Sequence, residues 1–465
     1  MDVEKKVLEM LKPRREEYEL VENAYKRIAE KIEEKAASSG VQVEVTLQGS
    51  IAHDTWLSGD RDLDVFVLFP TTMTLEELRV KGFNILLEAA REIGKYELRF
   101  AEHPYVRVFL NGVEADLVPA FKVSDPGKIV SAVDRTPFHT QYVNKTLTPE
   151  DKDQVRLLKK FMKTIGVYGA ELKTKGFSGY AVELLIAKYR SFRRTLEEAS
   201  NWEIPAYINT LDNADWEVLK KKLRRKYPES VIYMPDPVDP LRNVTANVSL
   251  KTLSTFILGA RCFLSNPSIE FFTAEPQPAP LDEIVKHSAD RCLVVLKYDL
   301  PEAPPPDVLW GELQRVETNV VNLLENRDFE VIDSSAWSNE KDTAYIMLEA
   351  SFCSTPDYKL YVGPKVTIKD RSENFISKHS KNEYGPWIGK DGRLRSLRRR
   401  EISDIVDALK ELVKEYNSPP HLKPLNPRVS KLSPEIMREI AEKGGYAWLM
   451  EFVLKKPSWM AKCTG

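Results

Sequence analysis

Cysteine and histidine are scarce in this chain, with four cysteines and six histidines among 465 residues. Cys262, Cys292, Cys353 and Cys463 are scattered and show no metal-ligand spacing. The histidines are scattered as well, so a structural zinc site is not expected. The thiols are expected to be reduced and the protein cytoplasmic. A long apolar run is also missing. Nothing approaches the ~20 residues needed to cross a bilayer, and Met1-Asp-Val-Glu-Lys-Lys6 lacks the apolar core of a signal peptide. No membrane partner is expected. Net charge is nearly absent too, at −2, which excludes a global pull toward nucleic acid. Internal repeats and low-complexity segments are lacking.

What is present is an ordinary globular composition, 42% hydrophobic and 30% charged. The chain is too long for one core, and two to four domains are expected. Charge is unevenly spread. Acidic residues crowd the first 35 positions, and basic runs stand at 188–194 (KYRSFRR), 220–226 (KKKLRRK) and 393–400 (RLRSLRRR). Such a run is most often a solvated helix face. Three of them downstream of a metal-type motif point to a polyanion partner.

That motif runs from Gly49-Ser50 to Asp62-Leu-Asp64, where an apolar stretch to Phe69 begins. Strand period is two, so Asp62 and Asp64 share a face with Cα atoms roughly 7 Å apart. Two carboxylates converging to about 4 Å repel by roughly 4 kcal/mol at an effective dielectric of about 20. A divalent cation removes that cost, and magnesium takes one or two carboxylates plus substrate phosphates. Asn111-Gly112 between two apolar runs reads as a hairpin, 105–110 with 113–118. Its second arm brings Glu114 and Asp116 on one face, and strand period does not separate them. A third acid on a neighbouring strand makes a two-metal cluster for displacement at phosphorus.

Around these elements the periodicity predicts a helix over 1–37, a strand at 41–47, and a buried strand at 62–69. A capping box, Thr74-Leu-Glu-Glu77, starts a helix to about Ile93. Helices follow from Thr148-Pro149 to Gly166, over 177–199, and over 249–264, with the loop Asp236–Asn247 before the last. A boundary is expected in the proline-rich 275–280. Beyond it, strands at 291–300, 329–337 and 343–352 with a helix at 307–326 predict a ferredoxin- or RNA-recognition-type α+β sandwich. A helix near 401–416 and a proline-punctuated tail close the chain. The division expected is 1–142, 143–272 and 273–465.

The chain resembles the DNA polymerase β nucleotidyltransferase superfamily, and within it the archaeal (class I) CCA-adding enzymes. The resemblance is carried by Gly49-Ser50 with Thr55-Trp-Leu57, by Asp62-Leu-Asp64-Val-Phe66, by 101–105 (AEHPY) and by Val113-Glu-Ala-Asp116-Leu-Val-Pro119. It continues through 131–139 (SAVDRTPFH), Val155-Arg-Leu-Leu-Lys159, Tyr168-Gly-Ala-Glu171, Gly176-Phe-Ser-Gly-Tyr180 and Asp236–Asn247. It is dense from about 45 to 265. The resemblance implies a multidomain α+β fold: a nucleotidyltransferase palm (mixed sheet with helices), a helical middle domain and an α+β body with a tail. It implies untemplated addition of C, C and A to the tRNA acceptor end from CTP and ATP. Carried over by residue, Asp62, Asp64 and Asp116 would bind two Mg2+ ions, and Gly49 and Ser50 would hold the triphosphate. His139, Lys159 and Tyr168 would contact the nucleotide, and Arg242 would sit near the base edge. His53 stands where the resemblance leads one to expect a triphosphate-binding arginine, and a neutral imidazole grips phosphate less well. A homodimer is a further implication.

Three other readings compete. Another untemplated polymerase, such as a poly(A) polymerase or an oligoadenylate synthetase, would share palm and helical middle. A non-catalytic RNA-binding protein is opposed by the three carboxylates. A two-metal nuclease leaves the Gly-Ser turn and the cationic ligands unexplained.

Overall fold

The N-terminal helical periodicity resolves into two helices, Val3–Leu11 and Arg15–Ser38. Pro13 separates them, because it has no N–H to donate and disfavours helical backbone before it. The two pieces serve different cores. Val7 and Leu11 pack with the helical part of the chain, whereas Val21, Ile28, Ile32 and Ala36 pack under the first sheet. The computed structural model describes residues 3–100, 104–211, 215–273, 279–415 and 419–463. It divides into two compact units, Met1–Gln277 with Lys456–Gly465, and Pro278–Lys455. Residues 101–103 of the motif at 101–105 and most of the proline-rich 275–280 lie outside the described residues.

The first unit begins with five strands: β1 Glu44–Gln48, β2 Asp62–Phe69, β3 Lys95–Phe100, β4 Pro104–Leu110 and β5 Val113–Phe121. Their order is β1-β2-β5-β4-β3. Only β2 and β5 run parallel, so the sheet is mixed, as expected. The hairpin at Asn111-Gly112 joins β4 and β5, with both turn residues at positive φ. β3 was not anticipated. Alternation on β2 sends Leu63, Val65, Val67 and Phe69 into the main core. Phe66 and Leu68 pack on the opposite face with Ala120 of β5. Asp62 and Asp64 share that second face, and so does Asp116.

The helices Arg15–Ser38 and Phe83–Ile93 cover the first face. Thr74 caps the short helix Leu75–Glu77 through Glu77 N, and a π-helical turn, Leu78–Gly82, joins it to Phe83–Ile93.

The rest of this unit is helical. The helices Pro149–Thr164, Gly179–Tyr189, Phe192–Ala199 and Leu250–Ser265 enclose a core in which Phe161, Phe192, Phe256, Phe263, Phe271 and Phe272 meet. The helix expected over 177–199 is two helices. Arg190 turns left-handed at φ 68°, and Ser191 caps the second piece. The basic run 220–226 lies on the helix Trp216–Lys226. A short parallel pair, β6 Ala206–Tyr207 and β7 Ile232–Tyr233, completes the unit.

The second unit contains β8 Cys292–Asp299, β9 Val331–Ser338, β10 Thr343–Ala350, β11 Tyr358–Lys365, β12 Tyr384–Ile388, β13 Arg393–Arg399 and β14 Arg428–Lys431. One sheet has the order β14-β8-β10-β9 and is antiparallel throughout. With the helix Pro306–Asn326 after β8 and the helix Ile405–Glu415 before β14, it is a β-α-β-β-α-β layer of the expected ferredoxin type. Between β10 and the second helix the chain inserts another sheet, β11-β13-β12. The basic run at 393–400 is therefore β13, a strand and not a helix face. The last helices, Pro434–Glu442 and Tyr446–Leu454, close the first layer. Tyr416, the expected end of the 401–416 helix, lies outside the described residues.

The expectation of reduced thiols is overturned. Cys262 bonds Cys463 and Cys292 bonds Cys353, with Cα separations of 4.5 and 5.3 Å. These partners are 201 and 61 residues apart in sequence, so only folding brings them within the range a disulfide spans. No described helix is long and apolar enough to cross a membrane.

Candidate active site

β2 and β5 align Asp64 directly opposite Asp116, and Asp62 opposite Glu114. Register thus singles out Asp116 as the neighbour of Asp64. Gly49 and Ser50 open a short helix, Gly49–Ala52, against the same strand. Gly49 sits at φ 68°, and a β-carbon on it would lie 1.9 Å from Asp64 Oδ2. Only glycine allows the turn to approach the carboxylate this closely.

Burial, followed by the charges of Asp116 and Asp62, pushes the Asp64 carboxyl up to about 7. Burial and the Glu114 charge push Asp62 up as well. Crowded, partly desolvated carboxylates are hard oxygen donors that a divalent cation would relieve, so the residues fit such an ion. Even so, no three His, Cys, Asp or Glu side chains form a metal cage among the described residues. Arg107 on β4 donates through Nε to Asp116 Oδ1 at 2.6 Å and through Nη2 to Oδ2 at 2.8 Å.

The segment between the Gly-Ser turn and Asp62 is held from the helices. His53 is 4% exposed, with Nδ1 2.8 Å from Glu183 Oε1 and Nε2 2.9 Å from Thr140 Oγ1. Both ring nitrogens are engaged within the protein, so His53 braces the turn and presents no unused donor. Thr55 donates its hydroxyl to the same Glu183 oxygen at 2.6 Å. Burial raises the Glu183 carboxyl, but the His53 charge and hydrogen bond, Lys159 and Thr55 hold it below its ordinary value. Lys159 is 3% exposed and donates to the Thr55 carbonyl at 3.0 Å. Desolvation pushes its ammonium down to about 8 against the pull of Glu183. Arg156 donates to the Trp56 carbonyl and to Asp54, while Glu17 accepts from Ser58 Oγ and Gly59 N. Tyr168 lies within 6.0 Å of the Lys159 ammonium, ring centre to nitrogen. Burial raises its hydroxyl, with Glu183, Asp60 and Asp64 adding to the shift.

His139 and Arg242 meet on a residue the sequence reading did not single out. Asp236, fully buried, accepts from His139 Nε2 at 2.8 Å and Arg242 Nη1 at 3.0 Å on one oxygen, and from Tyr180 at 3.0 Å on the other. The His139 ring stacks on Tyr180 with centres 4.0 Å apart. Burial raises the Asp236 carboxyl, but the His139 hydrogen bond and charge, the Val238 N–H and Arg242 outweigh it and hold it low.

The residues read from sequence therefore fall into three neighbouring sets within one unit. Gly49, Ser50, Asp62, Asp64 and Asp116 share the sheet face. His53, Lys159 and Tyr168 stand behind the turn. His139 and Arg242 are tied together by Asp236. Arg107, Glu183, Asp236, Arg156 and Glu17 were missed, because each acts on a partner remote in sequence or across strands.

Comparison with known proteins identifies the family. Residues 25–139 match the nucleotidyltransferase domain, 153–273 the tRNA nucleotidyltransferase second domain, and 290–419 the CCA-adding enzyme C-terminal domain. The chain is 37% identical over 459 residues to CCA-adding enzymes of Saccharolobus islandicus and Saccharolobus solfataricus, covering 98% of this chain and 100% of each relative. It is 36% identical over 460 residues to the CCA-adding enzyme of Sulfolobus acidocaldarius, covering 99% and 100%. Identity of this depth, sustained from the carboxylate strands to the last helices, leaves one conclusion: the chain belongs to the CCA-adding enzyme family of nucleotidyltransferases.

Proposed function

We propose that this protein builds and repairs the 3′-terminal CCA of tRNA from CTP and ATP without a template. The observation that carries the proposal is the parallel register of Asp62-Leu-Asp64 with Glu114-Ala-Asp116, beside the Gly49-Ser50 turn. In this reading the tRNA 3′-hydroxyl attacks the α-phosphate in line, gives up its proton to solvent as the new P–O bond forms, and the bond to the leaving pyrophosphate breaks. Two Mg2+ ions bound by Asp62, Asp64 and Asp116 would supply charge neutralisation at the attacking and leaving oxygens.

The chain's own residues position the reactants. Gly49 and Ser50 offer backbone N–H groups and a hydroxyl to the triphosphate. Lys159 contributes a cation behind the turn, and Tyr168 faces the same region. His139 and Arg242, fixed by Asp236, present directed donors to the ribose and base edge. A pocket built on such hydrogen bonds rejects G and U by leaving polar groups unpaired. We assign the palm to 1–142, the helical nucleotide-binding part to 143–272 and a tRNA-binding body with its tail to 273–465. The body would grip tRNA by shape and phosphates, since an A-form major groove is not readable by side chains. A tRNA substrate also implies a cytoplasmic location, and a second copy of the chain is a further partner that sedimentation analysis tests.

The decisive test supplies magnesium, labelled CTP or ATP, and tRNAs ending in the discriminator base, in C, and in CC. Labelled C entering the first two and A only the third is the expected result. A long A-tail would point to a poly(A) polymerase instead, and no incorporation would overturn the reading.

A further inference from the structure

The sheet places a cation beside the carboxylates. Arg107 on β4 stands directly opposite Asp116 on β5, which stands directly opposite Asp64 on β2. The three side chains therefore follow one another across one face of the sheet. Arg107 engages both oxygens of Asp116, at 2.6 and 2.8 Å, and reaches Glu114 Oε2 with its remaining nitrogen at 3.3 Å. A two-pronged guanidinium–carboxylate pair is among the stronger polar contacts a protein makes. A cation that reaches Asp116 must therefore share the carboxylate with the guanidinium.

We propose that Arg107 is a positioning residue that holds Asp116 in the metal-free site and competes with the divalent cation for it. The proposal rests on the reading of Asp62, Asp64 and Asp116 as metal ligands. Two effects point the same way. The cation must share a carboxylate whose charge Arg107 already offsets, and it must settle near a like charge. Both weaken metal binding by the bare protein. A nucleotide triphosphate brings oxygens of its own to such an ion, so the consequence is a site that takes metal weakly until the nucleotide arrives. Arg107 also offsets the charge of one of the four carboxylates Asp62, Asp64, Glu114 and Asp116.

The test is Mn2+ binding to the full chain without nucleotide, read from the electron-paramagnetic-resonance signal of free Mn2+. Removing the guanidinium in Arg107→Gln is expected to tighten Mn2+ binding about tenfold, the scale of one relieved charge repulsion at a partly buried site. The thermal midpoint of the metal-free variant falls and its Mn2+-induced rise grows. Arg107→Lys keeps the charge but not the fork, and lies between. Unchanged or weaker Mn2+ binding by Arg107→Gln overturns the proposal. Should that variant not fold, Arg107→Lys decides: tighter than wild type supports it, equal or weaker overturns it. Asp64→Asn separates the two readings. If it binds Mn2+ as the wild type does, the metal site itself is rejected, and the role of Arg107 falls with it.

Discussion

Gly49 backs onto Asp64 so closely that a β-carbon on the glycine would stand 1.9 Å from a carboxylate oxygen. The turn and the metal-type carboxylate are thus one construction. Gly49→Ala must either displace Asp64 or unwind a turn at φ 68°. We expect nucleotide incorporation to fall by about 100-fold, the cost of a misplacement near 1 Å at a reacting centre. Single-turnover incorporation of labelled CMP measures it, with circular dichroism showing the retained fold.

The raised carboxyl of Asp64 makes stability fall between about pH 4 and pH 7. Its folded value of about 7 lies above the ordinary 3.8, so the neutral acid is the form the fold favours. The associated stability is fully present below about pH 4 and is lost as pH rises through about 7. Asp64→Asn stays neutral throughout. Its thermal midpoint, relative to wild type in a chelator, should therefore improve from pH 5 to pH 8, by on the order of 2 kcal/mol of stability. A flat difference across that range would contradict the shift.

Asp236 joins His139, Arg242 and Tyr180 on one buried carboxylate. Asp236→Asn leaves the Arg242 guanidinium and the His139 ring without their anion, at about 3 kcal/mol for a buried pair broken on one side. We expect a raised KM for both CTP and ATP and more misincorporation of U and G. Steady-state kinetics with all four nucleotides provides the check.

The bond between Cys262 and Cys463 joins residues 201 apart in sequence, a span that includes residues 278–455. A loop that long loses up to about 5 kcal/mol of unfolded-chain entropy in the simple polymer account. Cys463→Ser should lower the thermal midpoint of the first unit while leaving incorporation at moderate temperature near wild type. Thiol titration in denaturant without reductant should find no free thiol in the wild type, since all four cysteines are paired.

β13 carries Arg393, Arg398 and Arg399 on exposed positions. Replacing the three by Gln should weaken tRNA binding and flatten its salt dependence by about two counterions. Unchanged affinity would remove this strand from the tRNA interface.

Much of the site was legible because its chemistry is local in sequence. A strand period puts Asp62 and Asp64 on one face, an Asn-Gly turn delivers Asp116, and a capping box starts the following helix. These signals depend on residues two to fifteen positions apart. The ferredoxin-type layer was readable from alternation, although its fourth strand at Arg428–Lys431 lies beyond the helix that follows the inserted sheet.

The sequence by itself determined which strands carry the carboxylates, which family the motifs resemble, and that the chain holds more than one core. Tertiary structure alone decided what each charged side chain rests against. Register across β5 chose Asp116 over Glu114 as the partner of Asp64, and placed Arg107 on that carboxylate. Packing of the helices against the turn made His53 a brace on Glu183, and the return of the last residues brought Cys463 to Cys262. Periodicity reports which face a residue takes, but the identity of its neighbour on that face is set by strand order and chain return, and those exist only in the folded molecule.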